Sequence, residues 1–123
     1  SPVSMNNLGW FLASVRKKYD EAEPLLRKAH ELAPDDGNIC GSLAVLVEAL
    51  GKQDDEAERL HRRAVERLPE DAEIAWHFAR FMEETRKNLP EAERLYAKAL
   101  ELEPENTERQ TYVAAFRLKR EKG

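Results

Sequence analysis

Apolar residues recur along this chain with the period of an α-helix. One stripe, at spacings of three, four and seven residues, consists of Ala22, Leu25, Leu26, Ala29 and Leu32. A similar stripe lies one helix earlier and consists of Leu8, Phe11, Leu12 and Val15. No window alternates apolar and polar residues for long enough to favour a strand. The pattern therefore predicts an all-α fold built from pairs of antiparallel helices, A and B.

The helical pattern repeats at a fixed interval of 35 residues. The sequence Asp-Glu-Ala-Glu occurs at 20–23 and 55–58, and Pro-Glu-Ala-Glu occurs at 90–93. A proline closes each unit, at Pro34, Pro69 and Pro104. A repeat of this length is typical of an α-solenoid, in which helix pairs stack on one another. We expect a single domain over residues 1–123, with about seven helices: units of about 1–35, 36–70 and 71–105, and a capping helix at about 106–121.

Residues at the expected helix ends agree with this division. Asp36, Asp71 and Asn106 follow the three prolines and are good N-caps for the A helices. Gly51 lies where a residue in the left-handed conformation ends an A helix. Pro24 is expected in or near the first turn of a B helix, where proline is tolerated.

The repeated residues resemble the tetratricopeptide repeat, or TPR. The family pattern places a Leu and a small residue in helix A, then Ala, a large apolar residue, Ala and a closing Pro. The first unit matches it with Leu8-Gly9, Ala22, Leu26, Ala29 and Pro34. The second unit departs from the pattern because His61 replaces the large apolar residue of helix B. The resemblance implies a right-handed superhelix that uses its A helices to bind a partner protein in a concave groove.

The family register assigns candidate positions in this groove. They are Asn6 and Trp10 in the first unit, Val45 and Glu48 in the second, and Trp76, Arg80 and Glu83 in the third. Trp10, Val45 and Trp76 would supply apolar contact, since exposed aromatic residues commonly dominate binding energy. Arg80, Glu48 and Glu83 would set the polarity. The alternative is that both tryptophans pack between helices, because aromatic residues at helical spacing usually serve cores.

The chain carries no pattern typical of an enzyme. His30, His61 and His77 fall in different helices, and no metalloprotease, phosphate-loop or nucleophile-elbow motif occurs. The sequence therefore predicts no catalytic residue, no metal site and no cofactor. Cys40, the one cysteine, lies in an apolar stripe and is expected to be a buried, inert thiol in a reducing compartment. We expect a cytoplasmic protein with no membrane-spanning helix.

The charge pattern bears on the class of partner. A net charge of −4 gives no basic field for nucleic acid, and the basic cluster of Arg117, Lys119, Arg120 and Lys122 is interpreted as a solvated face. Some TPR proteins clamp acidic chaperone tails with basic residues, but Glu73 occupies one of the matching positions here and would repel a carboxylate. An apolar or basic protein partner is therefore expected. RNA binding, and a scaffold or regulatory segment of a larger enzyme, remain alternatives.

The first helix bears on oligomeric state. Val3, Trp10, Phe11 and Leu12 make it more apolar than a capping helix should be. We expect a fragment of a longer protein that is monomeric, with dimerisation through the first helix as the alternative.

Overall fold

The computed structural model describes residues 1–122, and the regular structure in that range consists of seven helices. They are α1 (Pro2–Ser14), α2 (Tyr19–Leu32), α3 (Gly37–Leu50), α4 (Asp54–Arg67), α5 (Ala72–Glu84), α6 (Leu89–Leu102) and α7 (Thr107–Lys122). The prediction of an all-α fold with about seven helices is confirmed. Gly123, the last residue of the predicted domain, lies outside the described residues.

The helices belong to two compact units, which are larger than the 35-residue repeats and are called the first and second unit from here on. The first unit, Ser1–Pro69, contains α1 to α4, and the second begins at Glu70 and contains α5 to α7. In the first unit α1 packs on α2, α2 on α3 and α3 on α4; in the second, α5 packs on α6 and α6 on α7. The boundary between the units coincides with the predicted repeat boundary at about residue 70. Within each unit, helices that are consecutive in sequence are therefore neighbours in space.

Small residues let paired helices approach closely. Ala22, Ala29, Ala57 and Ala64 on the B helices of the first unit are completely buried. A Cβ atom added to Gly9 of α1 would lie 2.7 Å from Cγ of the buried Leu26 of α2, far inside van der Waals contact. The small residues of the repeat therefore specify how closely helix A approaches helix B.

Side-chain caps begin the A helices at the predicted residues. Asp36 accepts hydrogen bonds from the amides of Asn38 and Ile39, at 2.9 and 3.2 Å. Asp71 caps α5, with 3.2 Å from its carboxylate to the amide of Ile74, and Asn106 caps α7 in the same way. These bonds satisfy amide groups that have no partner inside a helix. The three predicted caps are confirmed.

The turns between A and B helices reach the left-handed conformation by different residues. Gly51 ends α3 with φ 70°, as predicted. In the other two pairs this conformation is adopted by Lys17 and Lys87, with φ 55° and 57°. Pro24 lies inside α2 rather than in its first turn, because the helix already begins at Tyr19. The missing amide of Pro24 removes one bond of that helix, which the neighbouring packing tolerates.

Candidate partner-binding surfaces

The four groove candidates of the first unit lie half-buried on its A helices. Asn6 and Trp10 are on α1, and Val45 and Glu48 are on α3. The side-chain oxygen Oδ1 of Asn6 is buried without a hydrogen-bond partner among the described residues. Each of the four therefore retains some accessible surface, and Asn6 also retains an acceptor that the described part of the fold does not satisfy.

Glu48 is coupled to the interior of the first unit. Its Oε1 atom lies 3.3 Å from Nε2 of His61 on α4, and His61 is buried. This contact accounts for the departure of His61 from the family pattern, because a buried imidazole needs a polar partner and Glu48 supplies it. Glu48, which was expected to line the groove, therefore also accepts a hydrogen bond that joins helix A to helix B.

Trp76 lies in the core of the second unit, which corrects the expectation of an exposed indole. Only 8% of its surface is accessible. Its ring centroid lies 4.9 Å from that of Tyr96 and 5.4 Å from that of Tyr112, and the Arg109 guanidinium is 4.9 Å from the indole. Tilted and edge-on aromatic pairs of this kind add stability beyond the area that they bury. The alternative that Trp76 packs between helices therefore describes the structure.

Glu83 is the shared acceptor of two tyrosines in the same cluster. The hydroxyls of Tyr96 and Tyr112 both donate to its Oε1 atom, at 2.6 and 2.8 Å. Burial, and then the bond to Glu83, raise the pKa of Tyr96, while burial is the main cause that raises the pKa of Tyr112. Both phenols therefore remain protonated donors at neutral pH. Glu83 and Tyr96 are the repeat equivalents of Glu48 and His61, with the same separation of 13 residues.

Arg80 lies beside this cluster and is half-exposed. Its guanidinium is 4.9 Å from the centroid of the Tyr112 ring, and its Nη2 atom donates to Glu84 at 2.9 Å. Its Nε atom is buried without a hydrogen-bond partner among the described residues. Arg80 therefore keeps a donor that the described fold does not satisfy, as Asn6 keeps an acceptor.

A cleft in the second unit combines apolar and basic side chains. Its volume is about 390 Å³, and it is lined by Glu83, Lys87, Leu89, Phe116, Lys119 and Arg120. Two of these, Lys119 and Arg120, belong to the basic cluster that the sequence led us to interpret as a solvated face. Sequence reasoning missed the cleft because Lys87 and Leu89 lie about 30 residues before Lys119 and Arg120, and no local pattern joins the two pairs.

The charge of Glu73 is compensated locally. Arg109 of α7 forms an ion pair with Glu73, and His77 lies 3.6 Å from it on α5. Arg109 also bonds Glu103 at 2.8 Å. The carboxylate expected to repel an acidic partner is therefore partly neutralised by a neighbouring guanidinium.

The structure offers little that could support metal or thiol chemistry. No group of three or more His, Cys, Asp or Glu residues within 1–122 is arranged to hold a metal ion. The Cys40 thiol is buried and donates to the carbonyl oxygen of Pro34 at 3.5 Å. Burial raises its pKa, which disfavours the reactive thiolate. Across residues 1–122, no helix is both long enough and apolar enough to cross a membrane.

Comparison with known proteins identifies the repeat. The tetratricopeptide repeat family matches residues 16–75. A mutant of MamA is 31% identical, with a TM-score of 0.68, over 82% of this chain and 72% of that one. The type III secretion translocator chaperone SycD of Yersinia enterocolitica has a TM-score of 0.81 at 21% identity, over 98% of this chain and 94% of that one. SycD is also known in complex with a peptide of the translocator YopD, at a TM-score of 0.78 and 21% identity, over 95% and 92% of the two chains. No curated protein has a significantly similar sequence.

Proposed function

The chain belongs to the tetratricopeptide repeat family, and we propose that it is a non-catalytic protein-interaction module that binds a peptide segment of a partner. The fold supports this, because helical repeats present extended surfaces rather than enclosed reaction sites. The complex of SycD with a peptide is an instance of peptide binding on a similar fold.

The cleft of the second unit is the observation that carries the proposal. Leu89 and the largely buried Phe116 give the cleft its apolar lining, while Lys87, Lys119 and Arg120 place positive charge around it. Such a combination of apolar contact and a few oriented polar groups is typical of recognition sites. We propose that the cleft receives an apolar side chain of a segment with acidic flanking residues. This differs from the apolar or basic partner expected from Glu73, whose charge Arg109 compensates.

The remaining groove candidates have a different role in this proposal. Asn6, Trp10 and Val45 of the first unit keep accessible surface and remain candidates for partner contact. Glu48 and Glu83 hold buried side chains, and we propose that the effect of these bonds on binding is indirect. Trp76 contributes to the shape of the second unit rather than to an exposed contact.

A charge-reversal experiment tests this function. The probe is a library of soluble peptides that vary in apolar and acidic content, and affinity is measured by fluorescence anisotropy. We expect peptides with a large apolar residue between acidic residues to bind best. Lys119→Glu should weaken their binding by roughly tenfold, since it places like charge at the cleft. The matched control is Lys98→Glu on α6, a half-buried lysine outside the cleft whose reversal should leave affinity unchanged.

The same assay separates peptide binding from RNA binding. A single-stranded RNA oligonucleotide is titrated at several salt concentrations alongside the best peptide. Contacts with several phosphates would give a steep loss of affinity with salt. Tighter binding of RNA than of any peptide, or equal effects of Lys119→Glu and Lys98→Glu, would overturn the proposed function.

A further inference from the structure

Glu83 belongs both to the aromatic core of the second unit and to the lining of the basic cleft. Its Oε1 atom accepts bonds from the hydroxyls of Tyr96 and Tyr112, at 2.6 and 2.8 Å. An ionised carboxylate has about four lone-pair positions on its two oxygens, so these bonds use about half of them. Its Oε2 atom makes no hydrogen bond within residues 1–122. The cleft is therefore lined by a carboxylate that still has an oxygen available to a bound group.

The surroundings of Glu83 hold this carboxylate in place. The ring of Phe116, which also lines the cleft, lies edge-on to the ring of Tyr96, with 5.0 Å between the two centroids. Tyr96 is completely buried, and its hydroxyl bonds the carboxylate. The apolar lining and the acceptor are thus both anchored on one buried side chain. A site that is preorganised in this way binds its ligand at a lower cost in conformational entropy.

The rim of the cleft stays accessible in repeats where an A helix is followed by its own B helix. The repeat equivalents of Lys119 are Ala49 on α3 and Glu84 on α5, and both are exposed although α4 and α6 follow them. Lys52, the equivalent of Lys87, is exposed as well. A B helix therefore does not cover this corner of its own A helix, and a helix packed on α7 as α4 packs on α3 would leave the rim open.

The chemistry of the lining narrows the side chain that the cleft can hold. An aliphatic residue or a phenylalanine would displace water from Glu83 without replacing its hydrogen bond, which costs free energy. A lysine or an arginine could bond Glu83, but the three cationic side chains of the cleft would repel its charge. A phenol or an indole combines an apolar ring with one neutral donor, and the volume of about 390 Å³ accommodates either ring.

We propose that Glu83 selects a tyrosine or a tryptophan at the centre of the bound segment, because its Oε2 atom accepts a hydrogen bond from the phenol O–H or the indole N–H. The ring would lie against Leu89 and Phe116, and the acidic flanking residues would meet Lys119 and Arg120. The selection rests on the proposed function of the cleft, and it adds the identity of the side chain that the cleft receives. A site built to bond a polar hydrogen rejects the analogue that lacks it.

Matched peptides test this selection. Four acetylated, amidated and fluorescein-labelled peptides carry tyrosine, phenylalanine, tryptophan or 1-methyltryptophan between two pairs of glutamates, and affinity is measured by fluorescence anisotropy. Tyrosine should bind roughly tenfold more tightly than phenylalanine, and tryptophan roughly tenfold more tightly than 1-methyltryptophan, which lacks the N–H. A cleft that recognised only apolar area would bind phenylalanine more tightly than tyrosine, so the two readings differ in sign.

Two variants assign the preference to Glu83. Glu83→Gln keeps a side-chain oxygen for the two tyrosines but loses the charge that strengthens the bond, so the preference for tyrosine over phenylalanine should fall to about twofold or less. Glu84→Gln removes the same charge from the neighbouring exposed carboxylate outside the cleft and should keep the tenfold preference. Circular dichroism checks that both variants are folded.

The outcomes separate the selection from the function on which it rests. If the peptides bind and Lys119→Glu weakens them, but phenylalanine binds as tightly as tyrosine, the cleft still binds acidic segments and the part assigned to Glu83 is refuted. An unchanged preference in Glu83→Gln would refute that part as well. If no peptide binds, or Lys119→Glu has no effect, both the function and the selection are wrong. Should Glu83→Gln fail to fold, the order of the four peptides on the unchanged protein still decides.

Discussion

Replacing Trp76 with alanine should destabilise the protein rather than only weaken a binding surface. The indole is 8% exposed, so the substitution removes a large buried side chain from the second unit. Such truncations cost about 3–5 kcal/mol through lost transfer free energy and the cavity that remains. The loss of the ring contacts with Tyr96 and Tyr112 and of the cation contact with Arg109 places the expected value toward the upper end.

This magnitude is large enough to measure without ambiguity. The whole free energy of unfolding of a small protein is about 5–15 kcal/mol, so a loss of about 4 kcal/mol would strongly shift the urea midpoint. Circular dichroism at 222 nm is the suitable signal, since the variant lacks one of the two tryptophans. Trp10→Ala is the matched control, because Trp10 is half-buried and its removal should cost less than about 2 kcal/mol.

Either of two results would refute this reasoning. One is a free energy of unfolding of Trp76→Ala within about 1 kcal/mol of that of the unchanged protein, together with reduced affinity for a peptide. The indole would then be acting as an exposed contact. The assignment of Trp76 to the core would then be wrong, and the original expectation of a groove aromatic would stand. A cost equal to that of Trp10→Ala would likewise contradict the stabilising role assigned to the ring contacts of Trp76 with Tyr96 and Tyr112.

Three further changes have expected outcomes. Tyr96→Phe removes a buried donor to a carboxylate and should lower the free energy of unfolding by about 2 kcal/mol in urea denaturation. Because the hydrogen bond from Arg27 lowers the pKa of Glu56, the pair stabilises the folded state above the ordinary glutamate pKa and loses that effect as pH falls through the lowered value. Arg27→Gln should therefore reduce the difference in melting temperature between about pH 7 and about pH 3. Lys87→Gly should stabilise the protein by up to about 1 kcal/mol, because its φ of 57° favours glycine, whereas Lys52→Gly at the equivalent repeat position should give no such gain in thermal melting.

The fold was largely predictable because its determinants are local and repeated. The apolar period predicts helices, and the caps Asp36, Asp71 and Asn106 begin them where expected. These features depend on residues within a few positions of one another, so one repeat supports the interpretation of the next. The positive φ of Lys87 was not predictable in this way, since lysine gives no sequence signal for a left-handed turn.

The candidate surfaces were less predictable because they depend on contacts between distant residues. The register places Trp76 on the face of helix A that is typical of groove residues, but Tyr112 from α7 and Tyr96 from α6 enclose it. A single 35-residue repeat contains neither the Tyr112 ring of α7 nor the cavity that the indole fills. The basic cleft was missed for the same reason, since its Leu89 and its Lys119 meet only after three helices have packed.

Variation between repeats in this chain serves the interior as well as the surface. Glu48 with His61 and Glu83 with Tyr96 occupy the same two positions of successive repeats, and each pair joins helix A to helix B through a buried side chain. In the first repeat the equivalent residues are Ala13 and Leu26, which are both buried, so apolar packing replaces the polar contact. A difference between repeats at one position is therefore not enough to show that the residue there determines binding specificity. The surface proposed for binding, the basic cleft of the second unit, is instead one where apolar and basic side chains from different helices line an open space.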